Sequence, residues 1–485
     1  MNTRITSIQR IVGILLILSS LTFLPPAAVG LLYDDGSWFP FLEGAAAVAL
    51  LGFVCWFPVR HVRRELRIRD GFVVVVACWF VLGLSGAVPL VLSDVPVMSL
   101  TDAVFEAMSG LTTTGATVLT GIDDLPKGIL FYRQQLQWLG GMGIIVLAVA
   151  VLPMLRIGGM QLYRAETPGP MKDNKLTPRI AETAKALWYL YFWITIICAS
   201  AYWMAGMDVF DAVGHAFSTV AIGGFSTHDL SIGYFNSPVI EAICMLFMFI
   251  SGINYALHFL AWRQASMSGY KGDPELKAFI SILIAAVVVC SWMLWTSGTY
   301  DSVPEAVRYG MFQVISIGTT TGFGTDSYYL WPGTLPLLLL LLSCVGACAG
   351  STGGGMKVIR IILLYKQGVR EITRLVHPNA MTPIKLGNRS ASEKVIQSVW
   401  GFFSVYVLCF IVLSMILAAF GLDLVTAVSA VLSCMNNLGP ALGQAGPHYA
   451  DLADPAKWFL SLAMVMGRLE LFTLLVLFSP AFWRD

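Results

Sequence analysis

Ten apolar runs recur along the chain, near 10–32, 38–59, 71–93, 128–154, 186–206, 237–262, 277–297, 333–364, 396–420 and 457–480. Each is close to the ~20 residues that carry a helix across a bilayer. So many runs of that length cannot all be hidden inside a water-soluble fold. Only 12% of the 485 residues are charged, about half the ~25% of a soluble domain. The net charge is +1, so no large positive field exists to bind nucleic acid. The chain therefore reads as an all-α polytopic membrane protein, with the lipid bilayer as its surroundings. The nine cysteines sit inside apolar runs without a CxxC or HxxxH pair, which indicates neither a disulfide framework nor a zinc site. Cys344 and Cys348 share a helix face and read as packing residues. Arg4 and Arg10 precede the first run as in a signal peptide, but that run reaches Tyr33 and reads as an uncleaved helix.

Ten spans place both termini on one side, and lysine and arginine choose it, because basic loops stay cytoplasmic. Of the 30 basic residues, Lys127, Arg133, Arg308 and Lys457 fall outside and Arg468 falls within a span; the other 25 lie in inner segments. Both termini are expected in the cytoplasm.

The outer connections after the third, fifth, seventh and ninth runs each hold an apolar stretch too short to cross, followed by Gly, Thr or Asn. That is the pattern of a re-entrant helix and loop, tolerated at membrane depth only where it lines a cavity or is buried in protein. The four stretches align on Gly115, Gly224, Gly322 and Gly439. Six residues earlier each carries a serine: Ser109, Ser218, Ser316 and Ser433. The three residues before each glycine are Thr112-Thr113-Thr114, Ala221-Ile222-Gly223, Thr319-Thr320-Thr321 and Asn436-Asn437-Leu438. Self-similarity at a near-regular offset marks one repeated unit, here span, short helix, loop, span. The chain divides into an extra pair of spans (1–70) and repeats at 71–160, 161–270, 271–370 and 371–485.

Four such loops around one axis can offer carbonyl oxygens in place of a cation's hydration shell. Glycine suits a chain that must turn consecutive carbonyls inward. Few carboxylates lie nearby, which favours a monovalent ion over calcium or magnesium. The competing reading is four glycines that merely let re-entrant hairpins pack.

The four units resemble the superfamily of potassium transporters that includes bacterial Trk and Ktr membrane subunits. The extra pair of spans and the segment Gly223-Gly224-Phe225-Ser226-Thr227-His228-Asp229 make the chain similar to the Trk-system membrane subunits, the TrkH family, over essentially its whole length. That resemblance implies a pseudo-four-fold pore per chain, usually in a homodimer, in the bacterial inner membrane. It implies K+ as the transported ion, with no organic cofactor in this chain. It also implies a cytosolic ring of regulatory subunits that bind nucleotides such as NAD(H), ATP or ADP. The filter positions of the family map onto Thr112 to Gly115, Ala221 to Gly224, Thr319 to Gly322 and Asn436 to Gly439. Only copy three carries a second glycine, Gly324, and copy four has Pro440. A short stack of ion sites is expected, passing potassium and rubidium best with some sodium leakage.

The eighth run departs from a plain span. After Leu342 it contains Gly346, Gly350, Gly353, Gly354 and Gly355 before Lys357. Glycine costs a helix roughly 1 kcal/mol relative to alanine at each position, so the helix is expected to open into a loop below the filter and act as a gate. The role matches what the resemblance implies for the third unit. Alternatively, Gly346 and Gly350 form a small-residue pair for helix approach. A phosphate-binding loop is rejected, because Val358 follows Lys357 where Ser or Thr would be needed. Arg468, in the last span, is costly in lipid and is expected to face a bundle interior or a water-filled cavity. Its functional reading is a positive charge in the ion path that pairs with gate-loop carbonyls. Its structural reading is an ion pair with Glu470 or another acid, although residues two apart do not face one another on a helix.

Glu43, Glu106, His215 and Glu241 are further polar groups in apolar surroundings. Those on pore helices could attract cations, and equally could hydrogen-bond a neighbouring loop. Asp123, Asp124 and Asp229 read as solvated acids. The basic stretch Lys357 to Lys394, and 156–185 with Pro168, Pro170 and Pro178, could dock a regulatory ring or merely follow the positive-inside rule. The chain is not expected to be an enzyme, since no cluster of acids or histidines gathers at one membrane face. A proton-coupled symporter is the alternative to a gated channel.

Overall fold

A computed structural model describes residues 3–61, 68–146, 180–379, 382–387, 389–469 and 471–483. Pro168, Pro170, Pro178, Glu470 and Arg484 lie outside these residues. The described chain is helical apart from a minimal antiparallel ribbon, Lys385–Leu386 against Arg389–Ser390. Among the described residues, six helices are long and apolar enough to cross a bilayer, or eight if two sharply bent pairs each count as one span. Of the other two expected spans, Lys127–Val146 carries Arg133, Gln134, Gln135 and Gln137, and the eighth is interrupted.

The first run is two helices, Thr3–Leu21 and Leu24–Tyr33. Ser19, Ser20 and Thr22 hydroxyls bond back to the carbonyls of Leu16, Ile17 and Ser19, a habit that bends helices. The run lies against Trp38–Trp56, where Gly13 and Gly52 let the backbones meet: a Cβ on Gly13 would sit 2.8 Å from Gly52 O.

The remainder is the repeated unit. Each copy has an entering helix (Ile68–Gly86, Ile180–Met204, Pro274–Thr296, Glu393–Ala419) and a short pore helix (Leu100–Leu111, Val209–Ala221, Val303–Gly318, Leu424–Asn436). The pore helices start alike. Ser99, Asp208, Ser302 and Asp423 each accept a hydrogen bond from the backbone N–H three residues on, satisfying a donor that the first turn leaves open.

The leaving helices show what sequence alone does not. The glycine-rich run does break its span: Leu335–Val345 ends, residues 346–357 are non-helical, and Val358–Val376 resumes. But two further copies also bend. Pro238–Gly252 and Tyr255–Gln264 meet at 92°, and Asp454–Arg468 and Phe472–Phe478 at 107°. In the former, Asn254 caps the new helix by accepting from Ala256 N at 2.9 Å. No glycine run announces either bend, so the sequence reading of a single broken span understates the interruptions.

Candidate functional site

The four pore helices end at the aligned glycines, and their C-terminal ends, which carry partial negative charge, converge there. Every loop is held by the same bond. The N–H of the residue before the glycine donates to the carbonyl of the aligned serine: Thr114 to Ser109 (2.8 Å), Gly223 to Ser218 (2.8 Å), Thr321 to Ser316 (2.7 Å) and Leu438 to Ser433 (2.9 Å). The repeated serine thus marks a backbone anchor.

Dihedral angles repeat as well. Thr113, Ile222, Thr320 and Asn437 have φ of 56, 56, 66 and 52°, and the glycines two residues on have φ of 80, 82, 84 and 97°. In copies one and three the preceding residues, Thr112 and Thr319, are right-handed, with φ of −80 and −84°. Alternating hand gathers N–H groups on one side of a strand. Here that side faces the parent helix.

The loops close on one another. A Cβ on Gly115 would lie 2.2 Å from Gly223 O, one on Gly224 2.1 Å from Thr321 O, one on Gly322 2.1 Å from Leu438 O, and one on Gly439 2.5 Å from Thr114 O. Each glycine therefore abuts the carbonyl preceding the next, and the fourth returns to the first. Of the sixteen expected filter positions, Thr114, Gly115, Gly223, Gly224, Thr321, Gly322, Leu438 and Gly439 make these ring contacts, and Thr112, Thr113, Ala221, Ile222, Thr319, Thr320, Asn436 and Asn437 lead from the pore helices into them.

The interrupted segment 346–357 lies against the ring. Gly354 N donates to Thr320 Oγ1 at 2.7 Å, Gly355 N to Asn436 O at 3.0 Å, and Thr352 Oγ1 to Val220 O at 3.0 Å. A Cβ on Gly353 would be 2.8 Å from Thr319 O, and one on Gly354 1.9 Å from Asn436 O. Gly346 and Gly350 have φ of 67 and 78°, and Gly350 packs on Asn254 at the second-copy bend. Lys357 Nζ donates to Gly353 O, curling the segment on itself. Arg468 Nη1 donates to Thr352 O at 3.1 Å and Nη2 to Gly140 O at 2.8 Å. The guanidinium thus joins the loop to the leaving helix of copy one, with Trp79 5.7 Å away.

Gln137, Tyr406 and Gln313 escaped the sequence reading, and so did the side-chain bond of Asn437. Gln137 straddles the second loop, its Nε2 donating to Gly223 O at 2.6 Å and its Oε1 accepting from Phe225 N at 3.0 Å. Asn437 Nδ2 crosses to Thr114 Oγ1 at 3.0 Å, and Tyr406 OH donates to Asn436 Oδ1 at 2.6 Å. Three glutamines in one apolar helix were a usable signal, since a buried amide must find partners. Three residues before the aligned serines stand Glu106, His215, Gln313 and Ala430. Three of the four clasp their own post-filter loop. Glu106 accepts from Val118 N at 3.0 Å, His215 Nε2 meets Ser226 Oγ at 2.8 Å, and Gln313 Nε2 donates to Asp326 O at 2.9 Å.

Two of the buried acids, Glu106 and Glu241, are paired with arginines. Arg133 Nε donates to Glu106 Oε1 at 2.7 Å and its Nη1 to Ser226 O at 3.1 Å, tying copy one to copy two. Arg308 grips Glu241 with two bonds of 2.7 and 2.6 Å, tying copy three to copy two. Asp123 is not simply solvated: it bonds His228 Nδ1, while Asp211 Oδ2 takes Nε2 at 3.1 Å and Tyr234 stacks on the ring at 3.5 Å. Burial pulls the His228 pKa down, but hydrogen bonds and charge from Asp211 and Asp123 outweigh it and hold the pKa above the usual histidine value. Burial likewise works to raise both carboxyls, and the bonds to His228 leave them below theirs.

A repeated loop closed into a four-part ring can be set beside known proteins. The TrkH family, described as cation transport protein, matches residues 39–484. The chain belongs to the TrkH family. The Trk system potassium uptake protein TrkH of Halomonas elongata is 55% identical over 477 residues, spanning 98% of this chain and 99% of that one. The Trk system potassium uptake protein TrkG of Escherichia coli K12 is 39% identical over 486 residues, covering 100% of both. The crystal structure of the potassium transporter TrkH from Vibrio parahaemolyticus matches with a TM-score of 0.91 at 52% identity, covering 100% of both chains. This TrkH-family chain is accordingly an all-helical, multi-pass membrane transporter.

Proposed function

We propose that this chain takes up potassium across the bacterial inner membrane through a gated, channel-like pore. The observation that carries the reading is the closed ring, in which each glycine abuts the carbonyl preceding the next. Ions shed water at the carbonyls of the four loops, helped by the negative ends of the pore helices. They then meet segment 346–357, which acts as the gate, with Arg468 pinning it through Thr352 O. The membrane potential drives the flow, at ~2.3 kcal/mol per charge per 100 mV. Both termini are cytoplasmic, the chain forms a homodimer, and a cytosolic Trk-type ring that binds NAD(H), ATP or ADP controls the gate. Channel-like passage is favoured over proton symport because Glu106 and Glu241 are each locked to an arginine.

The test is rubidium flux into liposomes holding the purified protein, with and without the regulatory ring. Arg468→Ala should raise partner-free flux, and sodium should pass more slowly than potassium. Equal sodium and potassium flux, or an Arg468→Ala protein that folds yet conducts no better, would refute the reading. A reversal potential that tracks pH would transfer the function to proton symport.

A further inference from the structure

Glu275 stands in the first turn of Pro274–Thr296 and is buried, 7% exposed. One of its oxygens, Oε1, accepts two backbone N–H groups: Ala349 at 2.8 Å and Ile359 at 3.1 Å. These donors lie in or beside the two ends of the interrupted segment. Ala349 is just inside its start. Ile359 is in the first turn of Val358–Val376, whose capping residue, Lys357, offers no side-chain bond to that turn. A helix start left open needs an acceptor for its free N–H groups, and a side-chain oxygen can supply it. Glu275 supplies it from another helix, and with the same atom fixes the other end of the segment.

We propose that Glu275 is the positioning residue that latches segment 346–357 under the ring. The inference rests on the gate reading above. Backbone bonds also hold the base of the segment: Cys348 N donates to Gly252 O, Tyr255 N to Gly350 O and Met356 N to Cys344 O, each at 3.0 Å, and Val358 N to Ala347 O at 3.3 Å. These are single neutral bonds. Glu275 instead gathers two donors, one from each end of the segment, on a single side-chain oxygen. With the base held, Gly354 and Gly355 reach Thr320 and Asn436, and Thr352 reaches Arg468. With the base free, those contacts have nothing to register against.

The test compares Glu275→Ala and Glu275→Asp with Glu275→Gln in the full-length protein. Alanine removes the acceptor, aspartate withdraws it by one methylene, and glutamine keeps an oxygen in place. Partner-free rubidium flux in liposomes should rise at least about tenfold for alanine and aspartate, the response of a two-state gate to about 1.4 kcal/mol. Glutamine should stay near wild type. The second readout is maleimide labelling of Cys348, mapped by peptide mass spectrometry. That thiol is buried one residue before Ala349, and it should label in the alanine and aspartate proteins alone. Arg468→Ala runs in parallel. If it conducts while Glu275→Ala stays closed with Cys348 protected, the latch is overturned and the gate stands. If neither conducts, the gate reading falls and the latch with it. Equal effects from glutamine and alanine would overturn the acceptor role.

Discussion

Replacing Gly224 by alanine puts a methyl carbon 2.1 Å from the carbonyl oxygen of Thr321. Ordinary contact begins near 3.4 Å, so one of the two must retreat by roughly an ångström. The oxygen is backbone, held by the bond from Thr321 N to Ser316 O, and cannot swing away as a side chain would. Overpacking of this kind costs about 1–3 kcal/mol. The left-handed backbone at φ 82° adds about 1–2 kcal/mol for a residue with a Cβ. Together the destabilisation is about 2–5 kcal/mol, focused on the ring that is proposed to discriminate between ions. Gly121→Ala is the matched control: its φ is also positive, at 64°, but nothing lies within 4 Å. It should lose only the backbone part, about 1–2 kcal/mol, and leave transport alone. The assay is thermal unfolding in detergent, with potassium and sodium flux in liposomes measured on the same preparations. Wild-type flux and selectivity in Gly224→Ala, or equal losses in the two variants, would refute the ring argument.

Two further outcomes follow from the pairs around the ring. Arg133→Met strands the buried Glu106 and should destabilise the protein by about 3–5 kcal/mol, while Arg133→Met with Glu106→Leu should recover part of that loss; a double-mutant cycle on unfolding midpoints reads the difference. The His228 pair should make stability depend on pH. Its pKa is raised in the folded state, so its contribution is fully present below the unfolded value of about 6.5 and fades as pH rises through the folded value. Asp123 and Asp211 have lowered pKa values, so theirs is lost only in acid. The gap in unfolding temperature between wild type and His228→Gln should therefore widen from pH 8 to pH 6, and a constant gap would contradict the pairing.

Much of this architecture was legible because membranes constrain sequence harshly. Apolar runs gave the helices, and the glycine with its serine six positions earlier gave the register of four loops. Five glycines before Lys357 marked the interrupted helix because glycine acts through its own backbone. Arg468 was visible because a charge in an apolar run is conspicuous. The bends after Gly252 and Arg468 were not legible. They arise from contacts between copies, such as Asn254 against Gly350, that no local pattern encodes. Glu275 was hidden differently: it stands at a helix start, where an acid is unremarkable, and only the fold brings Ala349 and Ile359 to it. Asp123 was read as solvated because its partner, His228, is 105 residues away.

The positions occupied by Glu106, His215, Gln313 and Ala430 are equivalent by repeat yet chemically unlike. A pore built from four identical chains receives every substitution four times over. Here a change at one of these positions alters a single quadrant, so adaptation can proceed in quarter doses. It also means the ring is chiral in its chemistry as well as its winding. Around it stand an acid-clasped loop, a histidine-clasped loop, an amide-clasped loop and a plain one, in a fixed order.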